Sequence, residues 1–79
     1  MKICPLVKNR IIELCEEKNM TINKLATEAG LSRSSLKSIL YGKSKNPGIV
    51  TLKIICDGLG ITITDFFDTE EFRKAEQEI

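Results

Sequence analysis

"MTINKLATEAGLSRSSLKSILYGKSKNP", residues 20–47, holds two short helical patterns around a tight turn, and the reading of its second half decides the fold. Thr21 stands where an N-cap belongs, ahead of INKLATEA, a helix in which Leu25 and Ala26 face inward. Gly30 follows, the residue most tolerant of positive φ in a turn. Ser32 caps the next helix, which runs to Tyr41 and stops at Gly42. At about 100° per residue, Leu36, Ile39 and Leu40 share one arc of that helix, while Arg33, Ser34, Lys37, Ser38 and Tyr41 share the other. The outer arc thus joins cations to hydroxyls with no carboxylate among them.

On the N-terminal side, Val7, Ile11 and Leu14 are spaced four and three apart, predicting an amphipathic helix over residues 6–18 that ends at Asn19. On the C-terminal side, KSKNPG reads as a loop closed by Pro47 and Gly48. A fourth helix follows through Ile49, Leu52, Ile55, Cys56 and Leu59, with Gly60 as its stop. In ITITDFF, Ile61 and Ile63 alternate with threonines as a strand would, but there is no second strand to pair with. A helix capped by Thr62 or Thr64, with Asp65 in its first turn, is the better reading. The tail, residues 69–79, is acidic and weakly amphipathic through Phe72, Ala75 and Ile79. The expectation is an all-α, compact bundle of five short helices over residues 1–68, with a sixth available in the tail.

The chain is 79 residues long, enough for one small domain that buries only about 60 % of the surface its unfolded form exposes. A content of 42 % apolar and 29 % charged residues fits an ordinary globular protein rather than a disordered one. The net charge of +1 hides an asymmetry: residues 1–50 carry nine Lys or Arg against four Glu, and residues 51–79 carry three against seven Asp or Glu. Between Glu28 and Asp57 there is no acidic residue, while Arg33, Lys37, Lys43, Lys45 and Lys53 fall in that interval. One region is locally basic.

Cys4, Cys15 and Cys56 are an odd number without C-x-x-C spacing, and the chain has no histidine, so no metal site is expected. Cys15 and Cys56 lie among apolar neighbours and read as small buried hydrophobes in a reducing, cytoplasmic compartment. Nothing in the sequence resembles a signal peptide or approaches the roughly 20 apolar residues needed to span a bilayer. Without histidine, paired carboxylates in an apolar setting or a Gly-rich phosphate loop, the chain offers no catalytic residue. The expectation is a non-enzyme with no cofactor.

The outer arc of the third helix fits a duplex. Arg and Lys can donate toward guanine O6 and N7, hydroxyls reach base edges or phosphate, and the helix N-terminus behind Ser32 favours a phosphate oxygen. A charged helix face is also the ordinary state of a solvated surface. The spacing separates the two: two short helices, a three-residue turn, small Ala26 in the first and Gly30 in the turn form a helix-turn-helix, whose second helix enters the groove.

Over residues 11–67 the chain resembles the Cro and phage-repressor type (XRE-like) of helix-turn-helix DNA-binding domain. The resemblance rests on the ordered series Leu25-Ala26, Gly30-Leu31-Ser32, Ile39, Gly42, Pro47, Leu52 and Leu59-Gly60-Ile61. It implies a lambda-repressor-like fold with helices 2 and 3 as the helix-turn-helix, and double-stranded DNA as the partner. Carried over by position, it makes Arg33, Ser34, Lys37 and Ser38 the base-contacting residues. Phosphate would be met by Thr21, Asn23, Ser32, Ser35, Tyr41, Lys43, Lys45 and Asn46, although Thr21 has the plain alternative of being only a cap, and Lys43 and Lys45 of only keeping a loop soluble.

Two positions depart from the family pattern. Many relatives have a phosphate-binding glutamine just after the helix-two cap, where this chain has Ile22, leaving Asn23 to replace it. The family also often joins an Arg near the end of helix one to a Glu near the end of helix three, and here those positions read Cys15 and Leu40. An apolar contact is expected in place of the ion pair.

One recognition helix reads only a few base pairs, so a symmetric homodimer on a palindromic operator is expected, with half-sites roughly 34 Å apart. Ile61, Ile63, Phe66, Phe67 and Phe72 are the expected dimer residues; the alternative is that they cap the monomer's own core. The function implied is transcriptional regulation, most simply repression, with control by concentration, proteolysis or a partner protein. The rival is a protein-interaction module that keeps the fold without binding DNA.

Overall fold

The computed structural model describes residues 2–41 and 46–77. Gly42, Lys43, Lys45 and Ile79, singled out above as helix stop, phosphate contacts and end of the tail stripe, lie outside the described residues. Within them the chain forms α1 (Ile3–Glu17), α2 (Ile22–Ala29), α3 (Arg33–Tyr41), α4 (Ile49–Leu59), α5 (Ile63–Phe67) and α6 (Glu70–Arg73). The all-α expectation holds, and the tail supplies the sixth helix.

α1 begins at Ile3, three residues before the periodicity places it. Pro5 lies in the first turn, where its missing N–H would have had no intrahelical acceptor and therefore costs little. At the other end Asn19 takes a positive φ of 52°, and the Met20 N–H donates back to the Cys15 carbonyl at 2.8 Å. The same closure recurs at Gly30, where Leu31 N–H donates to the Ala26 carbonyl at 2.9 Å, and at Gly60, where Ile61 N–H donates to the Cys56 carbonyl at 3.0 Å. Each satisfies a carbonyl that the helix end would otherwise orphan. Three helices are thus stopped by one left-handed residue each.

Of the two threonines offered as a cap for α5, Thr62 is the one used. Its Oγ1 accepts from Asp65 N–H at 3.0 Å, and Asp65 Oδ2 accepts from Thr62 N–H at 3.4 Å, a capping box.

The helices enclose one apolar cluster containing Val7, Ile11, Leu14 and Cys15 of α1, Leu25 and Ala26 of α2, Leu36 and Leu40 of α3, Leu52, Ile55, Cys56 and Leu59 of α4, and Phe66 of α5. Among the described residues no polar side chain is buried, so the cluster owes its stability to burial and packing alone. Cys15 and Leu40 are both in it, the apolar solution expected where relatives place an ion pair. No disulfide links the three cysteines, and burial pushes the Cys15 and Cys56 thiols up, keeping them neutral.

One apolar assignment needs correction. Phe66, expected at a dimer surface, is fully buried in a single chain and has no face to offer a partner. Ile49, the first residue of α4, is 64 % exposed. Neighbouring Val50 is 70 % exposed.

The tail turns back onto α1. Phe72 packs edge-on against Phe67 at 4.8 Å between ring centroids, and the Ile3 N–H donates to the Glu76 carbonyl at 2.9 Å. The expected amphipathic stripe through Ala75 is therefore cut short: α6 ends at Arg73, and Glu76 pairs with Lys2 as an isolated parallel bridge.

Candidate nucleic-acid interface

α3 is anchored by Leu36 and Leu40, at 0 % and 2 % exposure, on the face turned to the cluster. Arg33, Ser34, Ser35, Lys37 and Tyr41 are exposed on its other side, and Ser38 is half-buried with Ile39 at the boundary. All four expected base-contacting side chains are thereby brought onto one short helix, Ser38 the least accessible of them.

The hydroxyls at the start of α3 are ordered by one another. Ser32 Oγ accepts from the Ser35 N–H at 3.1 Å and donates to Ser35 Oγ at 2.8 Å; Ser34 Oγ lies 3.3 Å away. Since Ser35 Oγ receives the Ser32 proton, its own proton is left for an outside acceptor. Ser32 Oγ is thus engaged both in capping α3 and in the bond to Ser35.

Charge sets α3 apart from its neighbours. Lys24 of α2 meets Glu28 at 2.9 Å, and Lys53 of α4 meets Asp57 at 2.6 Å. The Lys24 ammonium holds the Glu28 carboxyl below its usual range, and each lysine is pushed up by its partner. Arg33 and Lys37 form no ion pair or hydrogen bond among the described residues, and no acid lies within a helical turn of either in the sequence. The uncompensated positive charge of the helix-turn-helix is concentrated on α3.

Thr21 caps α2 through its Oγ1, which accepts from Lys24 N–H at 3.0 Å, and Asn23 is exposed in the first turn. An open groove between α3 and the start of α4 is lined by Ser34, Ser35, Ser38, Asn46 and Thr51 among others, placing Asn46 beside the hydroxyls of α3. Tyr41 is 66 % exposed at the end of α3. No group of three His, Cys, Asp or Glu among the described residues could hold a metal ion, and none of their helices is long and apolar enough to cross a membrane.

A buried-edge arginine escaped the sequence reading. Arg10 of α1 donates through Nε to the Phe66 carbonyl at 2.8 Å and through Nη2 to the Asp65 carbonyl at 3.0 Å, while Nη1 pairs with Glu13. It clamps the last turn of α5 from 55 and 56 residues away, so no local pattern marks it.

Residues 10–71 match the family described as the Cro/C1-type HTH DNA-binding domain. The chain belongs to this family. Its helix-turn-helix is α2 and α3, and the resemblance drawn from residues 11–67 is the correct one. The HTH-type transcriptional regulator SlrR of Bacillus subtilis (strain 168) is 40 % identical over 62 residues, covering 77 % of this chain and 41 % of SlrR. The chain therefore spans about two fifths of that relative's length. Among solved structures, the prophage Lp1 protein 11 is 38 % identical with a TM-score of 0.81, covering 95 % of this chain and all of that one. The wild-type restriction-modification controller protein C.Esp1396I is 29 % identical with a TM-score of 0.74, covering 82 % of each chain.

Proposed function

We propose that this Cro/C1-type domain is a sequence-specific double-stranded DNA-binding regulator that represses transcription in the cytoplasm by occupying a palindromic operator as a homodimer. The observation that carries the reading is the outward face of α3, where Arg33 and Lys37 are exposed and unneutralised beside ordered hydroxyls. Arg33, Ser34, Lys37 and Ser38 read base edges; Thr21, Asn23, Ser32, Ser35, Tyr41, Lys43, Lys45 and Asn46 hold the backbone. The similarity to a transcriptional regulator and to a restriction-modification controller protein supports the regulatory role.

The dimer contact lies at the α5 end, through Ile61, Ile63, Phe67 and Phe72, which are half-buried and keep part of their apolar surface outside the core. The acidic tail stands with them, away from the duplex, and discourages non-specific contact with it.

Selection from a random duplex library with the purified protein tests this. A two-fold symmetric motif is the expected result. Arg33→Ala then costs about 1–3 kcal/mol and relaxes one position, whereas Lys43→Ala weakens all sequences alike and flattens the salt slope by about one unit. Enrichment of no motif would move the reading to a protein-interaction module on the same fold.

A further inference from the structure

We infer that Gly58 is a positioning residue for the recognition helix: the absence of a side chain there lets the end of α2 rest on the backbone of α4 and thereby sets where α3 begins. This rests on α3 being the helix that reads DNA.

A Cβ placed on Gly58 would lie 2.9 Å from Ala29 Cβ and 3.0 Å from both the Cα and the backbone N of Ala29. Ordinary carbon–carbon contact is about 3.5–4.0 Å. Two of the three atoms are backbone, which cannot rotate aside, so even one methyl group must push the helices apart. Gly58 does not serve backbone conformation, since the glycines with positive φ are Gly30 and Gly60. It is the penultimate residue of α4, still within the helix, where glycine is less favourable than alanine. Its use is the close approach.

Ala29 is the last residue of α2, and the turn beyond it is fastened to the same helix by the bond from Leu31 N–H to the Ala26 carbonyl at 2.9 Å. Ser32 and Arg33 follow directly, with Ser32 fixed to Ser35. A displacement of Ala29 is therefore carried through three residues into the end of α3 that holds Arg33 and Ser34. Base-edge hydrogen bonds tolerate only about 0.5 Å of misplacement, while contacts to phosphate from flexible side chains tolerate more. Crowding at Gly58 should thus harm discrimination before it harms general DNA affinity.

The test compares the full chain with Gly58→Ala and with Gly58→Ala/Ala29→Gly, which removes the closest of the three contacts. For each, affinity for the selected motif and for random duplex is measured at fixed salt, well below melting, together with the backbone amide spectrum. Gly58→Ala should lower the ratio of specific to random affinity roughly tenfold, shift the amides of residues 29–35, and regain part of both in the double variant. An unchanged ratio with unmoved amides would overturn the inference. So would a loss shared equally by both duplexes and left unrelieved by Ala29→Gly. If Gly58→Ala melts below the assay temperature, the double variant carries the test, its two remaining backbone contacts still lowering the ratio; a wild-type ratio there overturns it. If the unmodified protein selects no motif, the DNA-reading role of α3 fails, whereas the amides still report whether residue 58 positions that helix.

Discussion

Leu40→Glu restores the acidic residue that relatives carry near the end of helix three, without restoring its partner. Leu40 is 2 % exposed and Cys15 3 %, in a cluster that includes no polar side chain among the described residues. The substitution gives up the burial of a leucine, about 1.5–3 kcal/mol, and places a carboxylate where removal of a partner typically costs about 3–5 kcal/mol. The carboxyl escapes part of this by holding its proton, so its pKa in the folded state rises above the ordinary value of about 4.3. Because the folded state then binds the proton more tightly than the unfolded chain, the deficit against wild type is smallest below about pH 4.3 and grows by up to about 1.4 kcal/mol per pH unit until the folded pKa is passed. For a small domain near the lower end of the usual 5–15 kcal/mol, with each kcal/mol worth about 4–8 °C, the loss approaches the whole stability, and the melting temperature at pH 7 should fall by at least about 20 °C. Thermal melts followed by circular dichroism at pH 4 and pH 7 measure this for wild type, Leu40→Glu, Cys15→Arg and the double variant. The double variant should be clearly more stable than the sum of the single losses, since a complete ion pair roughly breaks even with an apolar one. Strict additivity, or a Leu40→Glu melting temperature equal to wild type, would show that positions 15 and 40 are not partners.

Three further outcomes are expected. Arg10→Met removes two charge-assisted bonds to the Asp65 and Phe66 carbonyls and should cost about 2 kcal/mol in urea unfolding, with Arg10→Lys recovering little because an ammonium lacks the fork that reaches both. Thr62→Ala should cost about 1 kcal/mol by losing the α5 cap, and Thr64→Ala less than about 0.5 kcal/mol. Burial raises the Cys15 and Cys56 thiols, so the unfolded chain loses these protons first: stability contributed below about pH 8.5 should decline as pH rises above it, and melts from pH 7 to 10 should decline less steeply in Cys15→Ala.

What was legible in the sequence was whatever a few neighbouring residues decide. Thr21, Ser32, Gly30 and Gly60 cap or stop their helices because hydroxyls and left-handed residues act on backbone groups two to five positions away. The α3 face was legible for the same reason, since helical angle alone sorts Leu36 and Leu40 from Arg33 and Lys37. Features set by tertiary placement were not. Phe66 and Phe67 are adjacent and chemically identical, yet only Phe66 points into the cluster, which depends on how α5 is seated. The Arg10 clamp and the contact of Gly58 with Ala29 join residues far apart in the chain, and neither leaves a spacing to read.

α3 gains little stability from its own surface. Arg33 and Lys37 are like charges four residues apart, an arrangement that disfavours a helix by about 0.2–0.5 kcal/mol, and Ser34, Ser35 and Ser38 are weaker helix formers than Ala, Glu or Lys. No acid relieves the repulsion, in contrast to the lysine–carboxylate pairs along α2 and α4. The helix is held by the burial of Leu36 and Leu40 and by the Ser32 cap, interactions made with the rest of the domain rather than along its own surface. Local instability confined to one outward face, on a helix that the core holds in place, is the pattern that the proposed DNA-reading role of α3 would produce. Replacing Lys37 by Glu would relieve the repulsion and stabilise α3 in the free protein while opposing the duplex charge, so greater stability with weaker DNA binding is the expected pairing, and a loss of both would contradict it.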